Sequence, residues 1–428
     1  MNNFGQLLNV VFGILGFGLY FVFPRQVAYY SFVKAAMLML FAVAIISLAS
    51  ARGIRKIFLV VFIWFLAYMC IIAIVTALGP EAVDIKFGQG ALPYVAAAMY
   101  LTGCVRNDIQ LVAILKGLYW VSIVTGPVAG LIQFFYLGEP IIHTDYWLAW
   151  HKEYARLTTL SEPDANYAML PLLFSLALGT ALARIVKGRL ARFVYFSSLT
   201  LTILALVFTY SRSGWIATFV LLMILLVLEP GKRKWGLAFG VTSVTVTVLA
   251  IASALGWLEQ FLAGFGKLQR LDPSNLIIRL ELWRAGMLVI ADNPLIGLGI
   301  LDLRNIVWSL TGYYMSIHNL YLKTLLQGGL LLFTFLIFLV SYITYNFLRA
   351  FQFSMRNSQE AMRLVTSSMF AGFASYLVMV GTLSDEIGFY LWAYLGFSLA
   401  CRFLVGRAQK EPGELKEKIP SRTGRTYL

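Results

Sequence analysis

Charged residues are scarce in this chain. Asp, Glu, Lys and Arg together make up 13% of the 428 residues, whereas 60% are hydrophobic, and the mean hydropathy is +0.79. A water-soluble globule cannot cover that much apolar surface, which excludes an ordinary soluble domain. A net charge of +14 would suggest nucleic acid as the partner of a soluble protein. In a membrane protein the positions of the charges matter more, so no nucleic-acid partner is predicted.

Cysteine and histidine are rare as well. Three cysteines occur, each in or beside an apolar segment: Cys70, Cys104 and Cys401. They lack metal-ligand spacing, which argues against a disulfide framework and against a cysteine metal site. The three histidines are His143, His151 and His318, and no two of them form a His-x-x-x-His pair. We therefore predict no metal site and no cofactor.

Long apolar stretches recur along the whole chain. Each approaches the 20 residues that a helix needs to cross about 30 Å of hydrocarbon. The sequence therefore predicts an all-α, polytopic membrane protein with about twelve transmembrane helices. The predicted spans lie near Gln6–Phe23, Val27–Ser50, Ile57–Leu78, Phe87–Cys104, Ile109–Leu137, Ala165–Ala183, Phe193–Phe208, Trp215–Leu228, Gly236–Leu258, Gly329–Leu348, Leu364–Met379 and Phe389–Val405. The first stretch lacks a basic leader and a small-residue cleavage site, so it is expected to be an uncleaved span.

The distribution of Lys and Arg predicts the orientation. The connections of one side and the tail carry 21 Lys and Arg against 6 Asp and Glu, and the other side carries 11 against 14. The positive-inside rule makes the first side cytoplasmic, with both termini on it. We predict one transmembrane domain over residues 1–405 and a basic, disordered cytoplasmic tail over residues 406–428. Two long outer loops, about residues 138–164 and 259–327, are where function is expected, and the second is predicted to be helical.

The segment Thr209-Tyr-Ser-Arg-Ser-Gly-Trp215 places Arg212 at the outer boundary of a span. Ser211 and Ser213 are candidates to cap the helix that follows. Arg212 could extend its side chain to lipid headgroups, or its guanidinium could bind phosphate with help from the helix N-terminus. We favour phosphate binding because arginines are uncommon at the outer boundary.

A second segment begins Arg279-Leu-Glu-Leu-Trp-Arg284 and ends Asn293-Pro-Leu-Ile-Gly-Leu-Gly299, after the helix-start signal Asp272-Pro-Ser274. One helical face is predicted to contain Arg279, Leu282, Trp283, Gly286, Met287 and Ile290. The helix could lie in the membrane interface with Arg279 at the headgroups, or Arg279 could face a cavity that holds an anion. We favour the cavity. Arg284 lies on another face and is expected to form a local ion pair with Glu281.

His318 stands where the last long outer loop meets span ten, next to Asn319. A histidine at this boundary could be a hydrogen-bonded structural residue. Its ordinary pKa, near 6.5, also suits it to take a proton from a sugar hydroxyl at neutral pH. The two functions stay open on the residues alone.

Acidic and basic residues elsewhere on the outer side are secondary candidates. Glu162, Asp164 and Asn166 could cap span six, or one of the two acids could orient a sugar or a catalytic histidine. Asp385 and Glu386, between spans eleven and twelve, have the same two interpretations. Two further outer cations, Arg25 and Lys86, would contact phosphate or lipid headgroups.

Four elements in this order resemble the O-antigen ligase-like superfamily, which includes O-antigen ligases, glycan polymerases and some protein O-oligosaccharyltransferases. The elements are Arg156 with Glu162-Pro-Asp-Ala-Asn166, Ser211-Arg-Ser-Gly-Trp215, Arg279 with Trp283 and Asn293–Gly299, and His318-Asn-Leu-Tyr-Leu322 with Gly328. The resemblance implies a metal-independent, inverting GT-C-type glycosyltransferase of the bacterial inner membrane. Its donor would be an undecaprenyl-pyrophosphate-linked glycan and its acceptor the lipid A–core of lipopolysaccharide, or a second glycan.

The resemblance also implies roles for individual residues. Arg212 and Arg279 would bind the pyrophosphate and stabilise the leaving group, with Arg156, Arg25 and Lys86 as further contacts. His318 would be the general base. Supporting roles would fall to Glu162, Asp164, Asn319, Asp385 and Arg284. Many relatives have a glutamate just before the glycine that follows this motif, where this chain has Gln327, which puts a charged partner for His318 at this position in doubt. Another carboxylate, Glu162 or Asp385, could substitute for it.

Four functions remain open at this point. An O-antigen ligase is favoured over a polymerase, which uses the same donor chemistry and the same motifs. A secondary transporter is a distant alternative, suggested by Lys34 and Lys116 inside predicted spans. A transporter would have polar residues or broken helices along a central path, whereas the polar residues here collect at the outer boundary. A non-catalytic scaffold is equally distant.

Overall fold

The computed structural model describes residues 56–80, 91–137, 157–160, 164–229, 273–300, 303–383 and 388–410, together with residues 7, 10, 11, 14, 15 and 42–45. Within those residues every regular element is helical. The helices are α1 (Lys56–Leu78), α2 (Ala91–Cys104), α3 (Asp108–Leu137), α4 (Met169–Ile185), α5 (Arg189–Phe208), α6 (Arg212–Leu228), α7 (Pro273–Asp292), α8 (Arg304–Thr311), α9 (Leu320–Arg356), α10 (Glu360–Val380) and α11 (Phe389–Lys410).

Length and hydropathy identify the membrane helices. Six described helices are long and apolar enough to cross a bilayer, namely α1, α3, α5, α9, α10 and α11. Shorter apolar segments lie in α2, α4 and α6. These nine helices coincide with nine predicted spans, which confirms an all-helical, multi-pass architecture. The predicted spans near residues 6–23, 27–50 and 236–258 lie wholly or mostly outside the described residues, so the total of twelve stays a prediction.

Span ten extends beyond its predicted start at Gly329, where the helix is broken. The helix begins at Leu320 rather than at Gly329, and the side chain of Asn319 caps it by accepting from the amide of Leu322 at 3.0 Å. Hydropathy locates the apolar part of a helix, and here the helix continues past that part toward the outer loop. Span seven likewise begins earlier than predicted, at Arg189, and span eight begins at Arg212.

The centre of the bundle is formed by α4, α10 and α11, with α2, α6 and α9 packed around them. Buried aromatic rings fill the space between them, including Phe174, Phe373, Trp392 and Tyr394. Helices approach closely where one of them carries a glycine. A Cβ at Gly396 would lie 2.8 Å from the Cα of Ala98, so α11 and α2 could not pack this closely with any larger residue.

Helix α3 contains two π-helical segments, Val124–Val128 and Gln133–Leu137. Pro127, in the first, has no amide hydrogen, which disrupts the regular α-helical ladder. A carbonyl in this segment finds a partner outside the helix, because the amide of Leu160 donates to the Thr125 oxygen at 3.0 Å. The amide of Leu157 donates to the carbonyl of Phe208 at 3.0 Å. The short segment 157–160 therefore links α3 to the end of α5.

An ion cluster joins three helices at the end of the bundle where α4 and α6 finish. The buried carboxylate of Glu229, which follows α6, pairs with Arg184 of α4 and with Arg363 of α10, the latter at 3.5 Å. Because α4, α5 and α6 alternate in direction, Asp164 and Arg212 lie at the opposite end of the bundle. The two ends are therefore chemically distinct.

Candidate functional site

Arg212 is the first residue of α6 and its side chain is exposed. The hydroxyl of Ser211 caps the helix by accepting from the amide of Gly214 at 3.4 Å, which confirms one of the two predicted caps. The preceding residue, Tyr210, has φ 51°, a left-handed conformation that is rare for a bulky side chain. This turn fixes Arg212 at the N-terminus of α6, where an anion would be favoured.

Arg279 lies in the second turn of α7, next to the face by which that helix packs on the start of α9. Leu282 is fully buried, Gly286 is buried, and the indole of Trp283 donates to the carbonyl of Ile317 at 3.0 Å. The prediction of this helical face is therefore correct for most of its residues. Met287 was wrongly included, because its side chain is 56% exposed and lies at the margin of the contact. The indole bond ties α7 to the residue directly before His318.

The segment 293–299 docks into a break in α9. At Gly329 the backbone adopts φ 56° and ψ −157°, and the helical hydrogen bonds across that point are replaced by bonds to the segment. Four backbone bonds make the replacement: Leu298 N to Leu326 O (2.8 Å), Gly299 N to Gln327 O (3.0 Å), Leu330 N to Pro294 O (2.8 Å) and Leu331 N to Leu295 O (3.2 Å). The backbone amides and carbonyls that the break would leave without partners are therefore hydrogen-bonded within the protein, as a membrane environment requires.

Glycines make this docking possible. A Cβ at Gly329 would lie 2.4 Å from the carbonyl carbon of Leu295, and one at Gly297 would lie 2.5 Å from the carbonyl oxygen of Leu326. Both glycines also have positive φ angles. The sequence Asn293–Gly299 together with Gly328 and Gly329 therefore forms one structural unit that holds α7 against the first turns of α9.

His318 immediately precedes the cap of α9 and has φ 52°. Its half-buried side chain is held between the Trp283 bond to Ile317 on one side and the Asn319 cap on the other. Left-handed backbone at a non-glycine residue is stable only where the surroundings fix it, and such residues collect at functional sites. The described residues include two other such conformations, at Tyr210 and at Ser358, and Ser358 lies in the turn between α9 and α10, so the backbone angle alone does not mark the site.

Asp164 begins the turn that leads into α4. One carboxylate oxygen accepts from the amide of Asn166 at 2.7 Å, and the Asp164 carbonyl accepts from the amide of Ala168 at 2.8 Å. The acid therefore organises the start of α4, as one of its predicted interpretations required. It is also close enough to Arg279 and His318 for its charge to act on both.

The charges of these side chains act on one another, which places the side chains near each other. Burial lowers the pKa of Arg279, the positive charge of Arg212 lowers it further, and Asp164 opposes both effects. Burial likewise lowers the pKa of His318, with the charge of Arg279 in the same direction and Asp164 again opposed. Residues far apart in sequence thus meet at one end of the bundle. The cluster combines two cations that repel one another, one carboxylate and an imidazole that is neutral at pH 7.

An apolar groove of about 580 Å³ opens beside the docked segment. Helix α1 contributes Trp64 and Ile71 to its wall, and the break region contributes Leu295, Leu331 and Phe335 among others. It lies between α1 and α9, next to the segment that positions α7. An extended hydrocarbon chain would fit its chemistry.

The remaining predicted site residues do not join the cluster in the described part of the chain. Arg25, Lys86, Arg156, Glu162 and Asp385 lie outside the described residues. Arg284 and Glu281 are both exposed and, contrary to prediction, form no ion pair with one another. Lys116, which suggested a transporter, is exposed on the outside of α3 rather than along an internal path.

Some functional contacts were not foreseen. Trp283 was placed on the correct face, but its bond to Ile317 could not be predicted because the partner is a backbone group 34 residues away. Asn319 was named for the site, and its position before Leu320 is typical of a helix cap, a signal that would have given the true start of α9. Asp164 was ranked behind Glu162 and Asp385 as the carboxylate near His318.

Comparison with protein-family models gives a match over part of the chain. Residues 197–339 match a protein-family model described as O-antigen ligase. The matched segment contains Arg212, Arg279 and His318, but not Asp164. No curated protein matches the chain. The resemblance predicted from the sequence motifs is therefore confirmed over this segment.

Proposed function

We propose, from the match of residues 197–339 to the family model described as O-antigen ligase, that the chain is an O-antigen ligase. It would transfer a glycan from undecaprenyl pyrophosphate to a sugar hydroxyl of lipid A–core, on the periplasmic side of the bacterial inner membrane. The observation that carries the proposal is the electrostatic coupling of Arg212, Arg279 and His318 at one end of the bundle.

In the proposed reaction His318 is the general base. Its lowered pKa keeps the imidazole neutral near pH 7, so that a ring nitrogen can accept the proton of the acceptor hydroxyl. The hydroxyl oxygen then attacks the anomeric carbon of the donor from the side opposite the pyrophosphate. The new C–O bond forms as the bond to pyrophosphate breaks, and the leaving group takes the electron pair. The configuration at the anomeric carbon is inverted, and the proton passes from His318 to water.

Arg212 and Arg279 are proposed to bind the pyrophosphate. The two guanidinium groups repel one another in the free protein, so an anion bound between them removes an unfavourable interaction as well as adding charge-assisted hydrogen bonds. Their donors would gain most as negative charge develops on the leaving oxygen, which lowers the barrier without a metal. The apolar groove beside the docked segment would accept part of the donor's hydrocarbon chain.

Asp164 is proposed as the carboxylate that supports His318. Its charge favours the protonated imidazole, so it would stabilise the imidazolium that forms during transfer. This role would replace the glutamate that many relatives have at the position of Gln327. Glu162 and Asp385 remain candidates for further contacts.

The proposal is tested by replacing His318 with asparagine, which tolerates a left-handed backbone but cannot act as a base at neutral pH. Transfer of lipid-linked glycan to lipid A–core by the purified, reconstituted chain should fall by at least about a hundredfold. The amount of protein in the membrane and its melting temperature in detergent should not change. Transfer at the normal rate would exclude His318 as the base.

Deletion of the gene distinguishes a ligase from a polymerase. Gel analysis of lipopolysaccharide from the deletion strain should show lipid A–core without polymer, while polymer accumulates on the lipid carrier. Core that carries a single repeat unit would instead identify the chain as the polymerase. Reintroduced His318→Asn should behave as the deletion does.

A further inference from the structure

A second cationic site lies at the other end of α9, far from His318. Arg349 and Arg402, from α9 and α11, both lie over the ring of Tyr345, with their guanidinium carbons 5.4 Å and 5.0 Å from its centroid. Sixteen helical residues separate Gly329 from Tyr345, which corresponds to about 24 Å along the helix axis. This pair therefore faces the leaflet opposite the proposed active site.

Arg402 is held in position by a neutral partner. Its guanidinium donates to the side-chain oxygen of Asn346 at 2.6 Å, and Asn346 is fully buried between the helices. A buried amide fixes the arginine without cancelling its charge. The entropy cost of ordering this long side chain is therefore already met in the free protein, which favours binding of an anion.

No carboxylate in the described part of the chain neutralises the charges of the two arginines. Among the described residues, neither Arg349 nor Arg402 forms an ion pair with a carboxylate. The contrast with Arg184 and Arg363 is direct, because those arginines are at the same end of the bundle and share Glu229. The chain thus pairs one set of arginines internally and leaves the other set available to an external anion.

The surroundings of the pair are apolar and face outward. Phe338, Ser341, Tyr345 and Leu348 form one exposed row along α9, at helical spacing, and Phe338 is 63% exposed. The row leads from the middle of the helix to the two arginines. A ligand that fits both parts has an anionic head and hydrocarbon chains.

We propose that Arg349 and Arg402, beside the ring of Tyr345, bind the phosphate of an anionic phospholipid in the leaflet opposite His318. The acyl chains lie along the exposed row from Leu348 to Phe338. Two arginines and an aromatic ring at the membrane boundary provide charge, hydrogen-bond donors and an amphipathic contact for a headgroup. The headgroup site is separate from the proposed donor site and does not depend on it, although Phe338, at the far end of the row, also lines the apolar groove.

The full-length protein in non-ionic detergent is titrated with fluorescent phosphatidylglycerol and, separately, with fluorescent phosphatidylcholine. We expect phosphatidylglycerol to bind at least about tenfold more tightly. Arg349→Gln should reduce that preference and Arg349→Gln with Arg402→Gln should abolish it. The matched control is Arg192→Gln, because Arg192 is an exposed arginine at the same end whose side chain donates to the carbonyl of Val186. It should bind phosphatidylglycerol as the unchanged chain does.

Three results would overturn the proposal. The first is that the double variant keeps the preference for phosphatidylglycerol. The second is that Arg192→Gln loses as much of this preference as the double variant does. Inorganic phosphate, at constant ionic strength, could displace the lipid at concentrations similar to those at which the lipid binds, which would make free phosphate the ligand. The single change at exposed Arg349 keeps the test valid if the double variant fails to fold.

Discussion

The pKa of His318 is governed by burial and by two residues of opposite charge. Arg279 adds to the effect of burial and lowers the pKa, whereas Asp164 opposes it. The base form is therefore present at neutral pH, and activity should be lost as the pH falls through the lowered pKa. A general base of this kind gives the acid limb of the pH–rate profile.

Substitutions of Arg279 and Asp164 should move the acid limb of the pH–rate profile in opposite directions. Arg279→Gln removes a positive charge, so the His318 pKa should rise and the limb should move to higher pH. Asp164→Asn removes a negative charge, so the limb should move to lower pH. The pH–rate profile of glycan transfer by each variant measures both shifts.

Arg279→Lys is the control for charge. It keeps the positive charge but loses the bidentate fork, so the rate should fall while the limb stays in place. If the acid limbs of the pH–rate profiles coincide for Arg279→Gln, Asp164→Asn and Arg279→Lys, then Arg279 and Asp164 do not act on the pKa of His318.

At the scale of elements, the break in α9 is the feature on which the site depends. Gly329→Ala should destabilise the protein, because alanine is strained at φ 56° and ψ −157° and its Cβ would collide with the backbone of Leu295. The melting temperature in detergent and the transfer rate should both fall, since α7 would lose its hold on the start of α9.

Gly312→Ala separates the effect of backbone strain from the effect of the Cβ collision. Gly312 also has a positive φ, of 74°, but a Cβ there would meet nothing within 4 Å. We expect a smaller loss of stability at this position and normal transfer. Equal effects of the two changes would mean that the docked segment does not need the close approach.

The elements themselves were largely predictable, and their junctions were not. The apolar stretches predicted nine of the helices. The helix-start signal Asp272-Pro-Ser274 predicted the start of α7, which begins at Pro273. The break at Gly329 was predicted as the beginning of a helix because hydropathy reports solvent, not hydrogen bonding. The bonds between residues 293–299 and α9 join segments about 30 residues apart, and no local pattern predicts their geometry.

For the whole molecule, the alternation of helix direction divides the polar residues between two ends. The sequence motifs predicted that Arg212, Arg279 and His318 share one end, and their electrostatic coupling agrees. Asp164 was underestimated because its partners are distant in sequence. The cluster of Glu229, Arg184 and Arg363 was not predicted, since each residue alone looked like a normal cytoplasmic boundary charge.

Glu229→Gln should reduce stability more than a surface change does. The buried carboxylate is shared by two arginines, and without it two positive charges remain close together with little solvent. Loss of one member of a buried ion cluster costs about 3 kcal/mol or more. The melting temperature in detergent measures the loss, and Glu281→Gln is the control, because Glu281 is exposed. A similar melting temperature for both variants would contradict a structural role for the cluster.

The packing of α7 and α8 has a mechanical consequence. Together with the first turns of α9 they form a hydrophobic cluster of their own, which includes Leu282, Val307, Ile317 and Leu326 and is separate from the main core. Arg279 and His318 belong to this smaller unit, whereas Arg212 and Asp164 belong to the main bundle. Any displacement between the two units would change the separation of the arginines while preserving the geometry between Arg279 and the imidazole. Capture and release of a diphosphate could then proceed without rebuilding the base.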